Sequence, residues 1–559
     1  MVGRLFTFFE REVRGMHQAA YLLALSALLS QLLALLRDRL LATSFGPGPV
    51  LDVYYASFRL PDLLFVAFAS LFSLYAILPV FAKTEGESRA HTIALLDLLF
   101  LVFFLLMAAV SSIAFVFAPS LVALLAPGFE GVMRDNLILV TRILLLQPIL
   151  LGASNILASL TQLKHRFLLY GVSPLLYNLG IIFGILVLYP RWGIGALGAG
   201  AVLGACLHAA VQLPSFFKER AHAGVLPRLP FKDLKRVLAL SVPRTLALLS
   251  GQATLISLVA VGSTLLVGSI SVLTLALNLE AVPLTIIGVS YSVAAFPTLA
   301  QLFSRGELVE FRSHIETALR HLFFWSFPAL ILVIVLRAQI VRVILGSGAF
   351  DWDATRLTAA ALALLSVGIL AQGIVLLLTR GYYAAGKTLK PLVFAAFSVL
   401  ASVSSALFFL KLFSTETAGR YFIESLLRVS GIEGTDVLML AAGFSLGAVV
   451  QALLILVAFA RDFDLSLKNI LATGLESFAA SVVGGFAAYG ALLVAGSLVD
   501  INTFAGIFAQ GFAGGIVGIA AISLLLFALK NRAFGEVLSA LRRNAPRTPV
   551  AIEPSELSS

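Results

Sequence analysis

Charge is scarce in this sequence of 559 residues. Asp, Glu, Lys and Arg make up 12% of it, 60% is hydrophobic, and the mean hydropathy is +1.01. Because an average soluble domain is about 25% charged and about 45–50% apolar, this chain cannot cover itself with a hydrated surface. The composition excludes a cytosolic enzyme, a secreted protein, a coiled coil and a disordered protein, and it predicts an outer surface that faces lipid.

Cysteine and the common catalytic motifs are also missing. The single Cys206 excludes a disulfide framework and a cysteine-built metal site. The sequence has no G-x-x-x-x-G-K-[ST] loop, no H-E-x-x-H and no G-x-S-x-G. We therefore expect no enzyme, no ATP-driven pump, no cofactor and no metal. The net charge of +10 fits cytoplasmic loops beside anionic lipid better than a nucleic-acid partner.

Long apolar runs dominate the chain. A membrane-spanning helix needs about 20 mostly apolar residues, and the runs are too long and continuous for the alternating strands of an outer-membrane barrel. The sequence predicts an all-α integral membrane protein. It has fourteen candidate spans, at 18–44, 59–82, 92–118, 136–162, 166–189, 194–217, 237–266, 270–302, 320–345, 356–383, 388–412, 435–460, 470–498 and 503–530.

Similar short segments recur at a nearly constant spacing. Pro79 and Pro297 are 218 residues apart, Gly128 and Gly348 are 220 apart, and Pro174 and Pro391 are 217 apart. The spacing predicts that spans 1–6 repeat as spans 7–12 in the same orientation. Two such lobes imply a pseudo-twofold axis along the membrane normal, with a substrate site between them.

The repeat and the charged loops predict five regions. They are an N-lobe (1–217), a basic linker (218–236), a C-lobe (237–460), two added spans (461–530) and a tail (531–559). Most Lys and Arg residues fall on the side that carries both termini, so the positive-inside rule predicts cytoplasmic termini. In the long external loop, apolar side chains predict a short interfacial helix: Tyr421, Phe422, Leu426, Leu427 and Val429.

Charged side chains near the apolar runs are the main candidates for a site, since a charge in lipid is costly. Arg37 and Asp38 follow the apolar run of span 1. Arg37 either holds a phosphate in a wet cavity or caps the outer end of its helix. Arg39 fits a snorkelling interfacial residue.

Other polar candidates have structural alternatives. Asp52 and Arg59 flank span 2 and either form a structural pair or bind a ligand. Asn278 and Glu280 precede Pro283 in span 8, where the carboxyl group must be neutral, paired or wet. Gln252 in span 7 is either a site residue or a partner in hydrogen bonds between helices.

The N-terminal motifs resemble those of the MviN/MurJ family of lipid II flippases. That family's opening reads approximately S-R-x-L-G-x-x-R-D, then F-G-x-G-x-x-x-D, then A-F-[RK]-L-P-N-L-L-R-R. The matching segments here are 30–38, 45–48 followed by Asp52, 58–64 and 78–81, and further matches lie at 126–129 and 380–391.

The resemblance implies an exporter fold of the multidrug/oligosaccharidyl-lipid/polysaccharide superfamily, whose two lobes open alternately. The implied cargo is an undecaprenyl-diphosphate-linked muropeptide, lipid II, moved across a bacterial cytoplasmic (inner) membrane for peptidoglycan synthesis. The resemblance also implies cavity cations for the diphosphate and a groove for the polyprenyl tail at spans 13 and 14. Its implied partners are membrane lipids and cell-wall synthesis proteins.

The sequence departs from the family at several cationic positions. The arginine after the motif serine is Gln31, the paired arginines after the L-P-N-L-L motif are Phe65 and Val66, and the cavity arginine of span 8 aligns with Asn278. Gln31 and Asn278 therefore join the candidates for the substrate cavity.

These departures leave other functions open. One alternative is a flippase for another polyprenyl-diphosphate-linked oligosaccharide. Another is a multidrug–cation antiporter, for which Asp52 and Glu280 are the suggestive acids. A third is a membrane scaffold of a cell-wall complex that has lost transport.

Overall fold

The computed structural model describes residues 16–72, 89–164, 166–221 and 231–542. Every regular element in these ranges is helical. The first-half helices of eight residues or more are α1 (Met16–Phe45), α2 (Pro49–Ser57), α3 (Arg59–Ala67), α4 (Arg89–Val116), α5 (Ala118–Leu125), α6 (Gly131–Leu144), α7 (Gln147–Leu163), α8 (Phe167–Phe183), α9 (Gly195–Ala210) and α10 (Leu213–Ala221).

The second half continues the series. Its helices are α11 (Phe231–Gly262), α12 (Ser269–Leu284), α13 (Ser290–Ser304), α14 (Leu308–Ile344), α15 (Trp352–Ala384), α16 (Leu389–Thr415), α17 (Thr417–Leu427), α18 (Val437–Phe463), α19 (Lys468–Leu498), α20 (Phe504–Ala528) and α21 (Arg532–Arg542).

Eleven stretches of the described residues are long and apolar enough to cross a membrane. They correspond to predicted spans 3–6 and 8–14. Span 1 lies in α1, which is 30 residues long, and span 7 lies in α11, whose apolar part is Leu248–Gly262. The all-helical membrane fold is confirmed, whereas the total of fourteen spans stays a prediction.

Span 2 differs most from its prediction. The sequence predicts one helix over 59–82, but α3 ends at Ala67 and a 3-10 turn follows at Ala69–Phe72. Hydropathy cannot detect this break because both segments are apolar. The motif at 78–81 and residues 222–230 of the predicted linker lie outside the described residues.

Large apolar side chains cover the outside of the helices. Leu105 on α4, Phe486 on α19 and Leu524 on α20 are each at least 60% exposed. The hydrophobic effect excludes such a surface from water, so it faces the lipid chains. The chain is a multi-pass membrane protein.

The helices that position the site meet at one end of the molecule. One buried cluster includes Leu41 and Leu51 from the first half and Ile270 and Phe350 from the second. A second cluster joins first-half helices to the start of α11 through Leu234 and Val237, and a third lies within the second half. The ends of α1, α11 and α14 thus share a core with the starts of α12 and α15.

A helix, α17, is present where the sequence predicts a short interfacial helix. Tyr421, Phe422 and Leu426 are 65–70% exposed on it. Val429 does not belong to this face, because it follows the helix and is fully buried. Leu427 is half-buried against the core.

Candidate functional site

Arg37 and Asp38 form an ion pair inside α1. Arg37 Nη2 lies 2.8 Å from Asp38 Oδ1, and Arg37 Nε donates to the same oxygen at 3.0 Å. The helix continues for eight residues beyond Arg37, or about 12 Å at 1.5 Å per residue. Arg37 therefore does not cap the end of its helix, and the pairing with Asp38 neutralises a charge that would be costly in this position.

Two amide side chains extend the ion pair to neighbouring helices. Arg37 Nη1 donates to Asn178 Oδ1 on α8 at 3.0 Å. Asn278 Nδ2 on α12 donates to Asp38 Oδ2 at 3.0 Å. We call these four residues the central network. It connects the first half of the chain to the second, and it brings the predicted residues Arg37, Asp38 and Asn278 together.

The network is largely closed off but still accessible at Arg37. The Arg37 side chain is 20% exposed, against 5% for Asp38. A guanidinium holds a phosphate or carboxylate through two parallel hydrogen bonds. Arg37 uses two nitrogens on Asp38, so binding an anion in this way requires it to exchange a partner.

Asp52 has different partners from those that the sequence suggests. Its carboxylate accepts from the backbone N–H of Gly268 at 2.6 Å and of Ser271 at 2.7 Å, and it also accepts from the Ser271 hydroxyl. Gly268 immediately precedes α12 and Ser271 lies in its first turn, so Asp52 caps a helix that starts 217 residues later. The Asp52 carboxylate makes these contacts with Gly268 and Ser271, and no ion pair with Arg59 is present among the described residues.

Arg39 also joins the two halves. Arg39 Nη1 donates to the Val343 carbonyl at 2.6 Å, in the last turn of α14, and its guanidinium lies 5.5 Å from the ring centre of Phe504. A cation at a helix C-terminus interacts favourably with the free carbonyls and the helix dipole. Nearby, Thr43 Oγ1 and Ser347 Oγ are 2.7 Å apart.

Glu280 lies apart from the central network. Its side chain is buried, and Gln372 Nε2 on α15 donates to its Oε1 at 2.8 Å. Gln372 also lines a cavity of about 210 Å³ with polar side chains of α11, α16 and α18. Gln252 is half-buried on α11, and its Oε1 has no hydrogen-bond partner within the described residues.

The positions that depart from the family pattern bring no cation to the network. Gln31 is half-buried on α1, and Phe65 packs against the buried cluster that first-half helices share with the start of α11. Asn278 uses its amide on Asp38. The described residues contain no group of three or more His, Cys, Asp or Glu side chains that could hold a metal.

A family model described as "Lipid II flippase MurJ" matches residues 41–419. This chain belongs to that family. The match covers most of the chain and begins three residues after Asp38, so the ion pair itself lies just outside it.

Curated relatives agree with the family model. A probable lipid II flippase MurJ of Rhizobium tropici is 28% identical over 401 residues, which cover 68% of this chain and 72% of that protein. The lipid II flippase MurJ of Burkholderia cenocepacia is 26% identical over 367 residues, which cover 64% of this chain and 71% of that protein.

Solved structures establish the fold class. A lipid II flippase MurJ in an inward closed conformation superposes with a TM-score of 0.70 at 20% identity, covering 91% of this chain and 99% of that one. An inward-facing multidrug transporter of the MATE family has a TM-score of 0.62 at 13% identity, with 78% and 94% covered. The chain has the fold of the superfamily that the sequence motifs imply.

Sequence reasoning missed Asn178 and Gln372. Both are amides in apolar helices, a pattern that equally fits ordinary contacts between helices. Their relevance comes from their partners, Arg37 and Glu280, which are 141 and 92 residues away. The weak signal available was that each is an amide within a long apolar run.

Proposed function

We propose that this chain is a flippase that moves lipid II, the lipid-linked peptidoglycan precursor, from the inner to the outer leaflet of a bacterial cytoplasmic membrane. The observation that carries the proposal is the central network, a polar group within the membrane span that connects both halves of a MurJ-family chain. A diphosphate and its sugars cannot enter hydrocarbon without polar partners. The polyprenyl tail can stay in lipid while the head passes between the lobes.

Arg37 is the group that we assign to the diphosphate. It is the accessible cation of the network, whereas Asp38 and the two amides hold it in place. When the anion arrives, one Arg37 nitrogen would leave Asp38 and bind a phosphate oxygen. Asn278 would keep Asp38 in position during this exchange.

Alternating access accounts for the contacts at the end of the molecule. Hydrogen bonds join α1 to α14, the 127–129 turn to the end of α11, and Asp52 to α12. With both termini in the cytoplasm, these contacts lie on the external side and hold that side closed. We propose that residues 1–217 rock against 237–460, that these contacts break in the outward-open state, and that the chain performs no covalent chemistry.

A second cargo is favoured by one observation. Phe65 and Asn278 stand where the motifs of the family suggest cations, so this network holds one guanidinium and one carboxylate. A flippase for another polyprenyl-diphosphate-linked oligosaccharide would share the lipid and diphosphate chemistry while making different contacts with the sugar. The same cells can test both cargoes.

The test is transport in cells whose own lipid II flippase can be depleted. We expect the wild-type chain to restore lipid II to the outer leaflet and Arg37→Glu to reduce it to background. Arg191→Glu is the matched control, because Arg191 is an exposed arginine of the first half outside the network. Protein in the membrane is quantified for each variant.

The outcomes separate the alternatives. If a well-inserted wild-type chain moves no lipid II but restores a different lipid-linked glycan to the outer leaflet, that glycan is the cargo. A chain that moves neither, yet is needed to assemble cell-wall enzymes, would be a scaffold. An equal loss of transport in Arg37→Glu and Arg191→Glu would show that Arg37 does not bind the diphosphate.

A further inference from the structure

A second pocket lies outside the central network. It has a volume of about 530 Å³ and is lined by α14, α15, α19, α20 and the turn that follows α17. The size is within the range of small-molecule sites, about 300–1,000 Å³. Neither Arg37 nor Asp38 lines it.

Three arginines line this pocket. Arg356 donates through Nε and Nη2 to the Arg428 carbonyl, at 2.9 and 2.7 Å. That contact holds residue 428 in the left-handed conformation (φ 59°) at the end of α17. The Arg428 side chain then reaches across the pocket, where its Nη2 donates to the Tyr489 hydroxyl at 2.9 Å.

The positive charge of the pocket is mostly uncompensated. Arg337 Nη1 donates to the Ile334 carbonyl of its own helix at 2.8 Å, and no carboxylate pairs with Arg337 among the described residues. Asp353 Oδ1 lies 3.6 Å from Arg356 Nη1, but the Asp353 side chain is 66% exposed. No described Asp or Glu lines the pocket itself, so an anion would be attracted to it.

The walls of the pocket are apolar and open toward lipid. Phe486 and Leu493 on α19 line it and are 74% and 61% exposed. The turn with Arg428 directly follows α17, whose exposed Tyr421 and Phe422 fit the headgroup level of a bilayer. The pocket therefore combines cations at headgroup depth with an apolar wall for acyl chains.

We propose that this pocket binds an anionic phospholipid of the external leaflet, with its phosphate between Arg337 and Arg428 and its acyl chains along Phe486 and Leu493. Guanidinium groups suit phosphate oxygens in number and geometry. Three arginines are unusual on this side of the membrane, because external loops usually carry few Lys and Arg. An anionic lipid supplies the missing counter-charge at this position.

Lipid selectivity of the purified full-length protein tests the proposal. Dioleoylphosphatidylglycerol and dioleoylphosphatidylcholine are titrated in detergent, and bound lipid is counted by native mass spectrometry. We expect wild type to prefer phosphatidylglycerol and the Arg337→Gln/Arg428→Gln double variant to lose roughly tenfold or more in affinity for it. Arg191→Gln removes one arginine elsewhere and should bind as wild type.

A charge-conserving variant and a phosphate competition distinguish lipid binding from a folding defect and from the binding of free phosphate. Arg337→Lys/Arg428→Lys keeps both charges and should retain the preference even if its unfolding temperature falls. Unchanged phosphatidylglycerol affinity in the glutamine double variant would overturn the proposal. Displacement of the lipid by excess sodium phosphate alone would assign the site to free phosphate and would overturn the lipid assignment. None of these arms depends on flipping, so they stand whether or not the chain transports lipid II.

Discussion

The backbone N–H of Gly128 donates to Ser263 Oγ at 3.0 Å, and this contact has a counterpart on the other side of the molecule. The N–H of Ala349 donates to the Thr43 carbonyl at 2.9 Å. Ser263 follows Thr43 by 220 residues, and Ala349 follows Gly128 by 221. Each half thus presents the same turn to the end of the same helix in the other half, as a pseudo-twofold axis requires.

Closure at this end can be tested with a disulfide. Thr43 Oγ1 and Ser347 Oγ are 2.7 Å apart, so cysteines at both positions are placed to bridge. In a Cys206→Ala background, we expect oxidised Thr43→Cys/Ser347→Cys to stop flipping and reductant to restore it. The measurement is lipid II in the outer leaflet before and after reduction.

A bridge inside one loop is the control for this experiment. Ser425 Oγ and Ser430 Oγ are 3.4 Å apart within the segment that joins α16 to α18, so a bridge between cysteines at these positions leaves the two halves free to move. Full transport by the oxidised Thr43→Cys/Ser347→Cys variant would show that the halves do not separate at this contact.

Asp52 should matter for stability because it caps α12. Asp52→Ala leaves the N–H groups of Gly268 and Ser271 buried without an acceptor, and each such group costs about 1–3 kcal/mol. We expect the free energy of unfolding to fall by about 2–4 kcal/mol. Asp52→Asn keeps one acceptor and should lose less.

Equilibrium unfolding in detergent measures these differences. Glu433→Ala is the control, since Glu433 is an exposed carboxylate in a neighbouring loop. If Asp52→Ala were as stable as Glu433→Ala, Asp52 would have no capping role.

Much of the fold was predictable because its signals are local or periodic. Apolar runs predict helices wherever about 20 residues must satisfy their own backbone in lipid. The repeat spacing pairs the turn at Gly128 with the turn at Gly348, and in the structure each turn contacts the end of a helix in the other half. The end of α3 at Ala67 was not predictable, because hydropathy stays high across it.

The site was less predictable because its contacts are distant in sequence or arise from side-chain reach. Neighbouring residues on a helix do not face each other, yet the long Arg37 side chain folds back onto Asp38. Asp52 caps α12 through Gly268, which is 216 residues away, and capping rules based on sequence consider only adjacent residues. Asn178 gave no signal beyond being an amide in an apolar helix.

The Arg37–Asp38 pair should show strong coupling in a double-mutant cycle. Asp38→Asn leaves Arg37 without its counter-charge, and breaking a buried pair in this way costs about 3–5 kcal/mol. Arg37 is 20% exposed, so we expect a loss of about 2–3 kcal/mol. Arg37→Gln/Asp38→Asn removes both charges and should lose less than the single variant.

Transport separates the structural role of the pair from its functional role. The double variant should recover stability but not flipping, because it lacks the cation that we assign to the diphosphate. Additive losses in unfolding free energy would indicate that the two charges do not stabilise each other. Flipping by the double variant would move the diphosphate site away from Arg37.

The packing of α8 against α9 gives a last prediction, and it bears on Asn178. A Cβ atom added at Gly200 would lie 2.5 Å from the Gly184 Cα and 3.1 Å from the Gly180 carbonyl oxygen. Both neighbours are backbone, so the helices must separate, as expected where small residues allow close approach in a membrane. Gly200→Ala should therefore lower the unfolding free energy by about 1–3 kcal/mol, the usual cost of overpacking.

Gly251→Ala is a matched control on α11. A Cβ there meets nothing within 4 Å, and Ala favours the helix by up to about 1 kcal/mol, so stability should hold or rise. Because α8 carries Asn178, Gly200→Ala should also weaken the hydrogen bond to Arg37 and reduce flipping, whereas Gly251→Ala should not. Equal stability of the two variants would mean that the close approach of α8 and α9 does not support the central network.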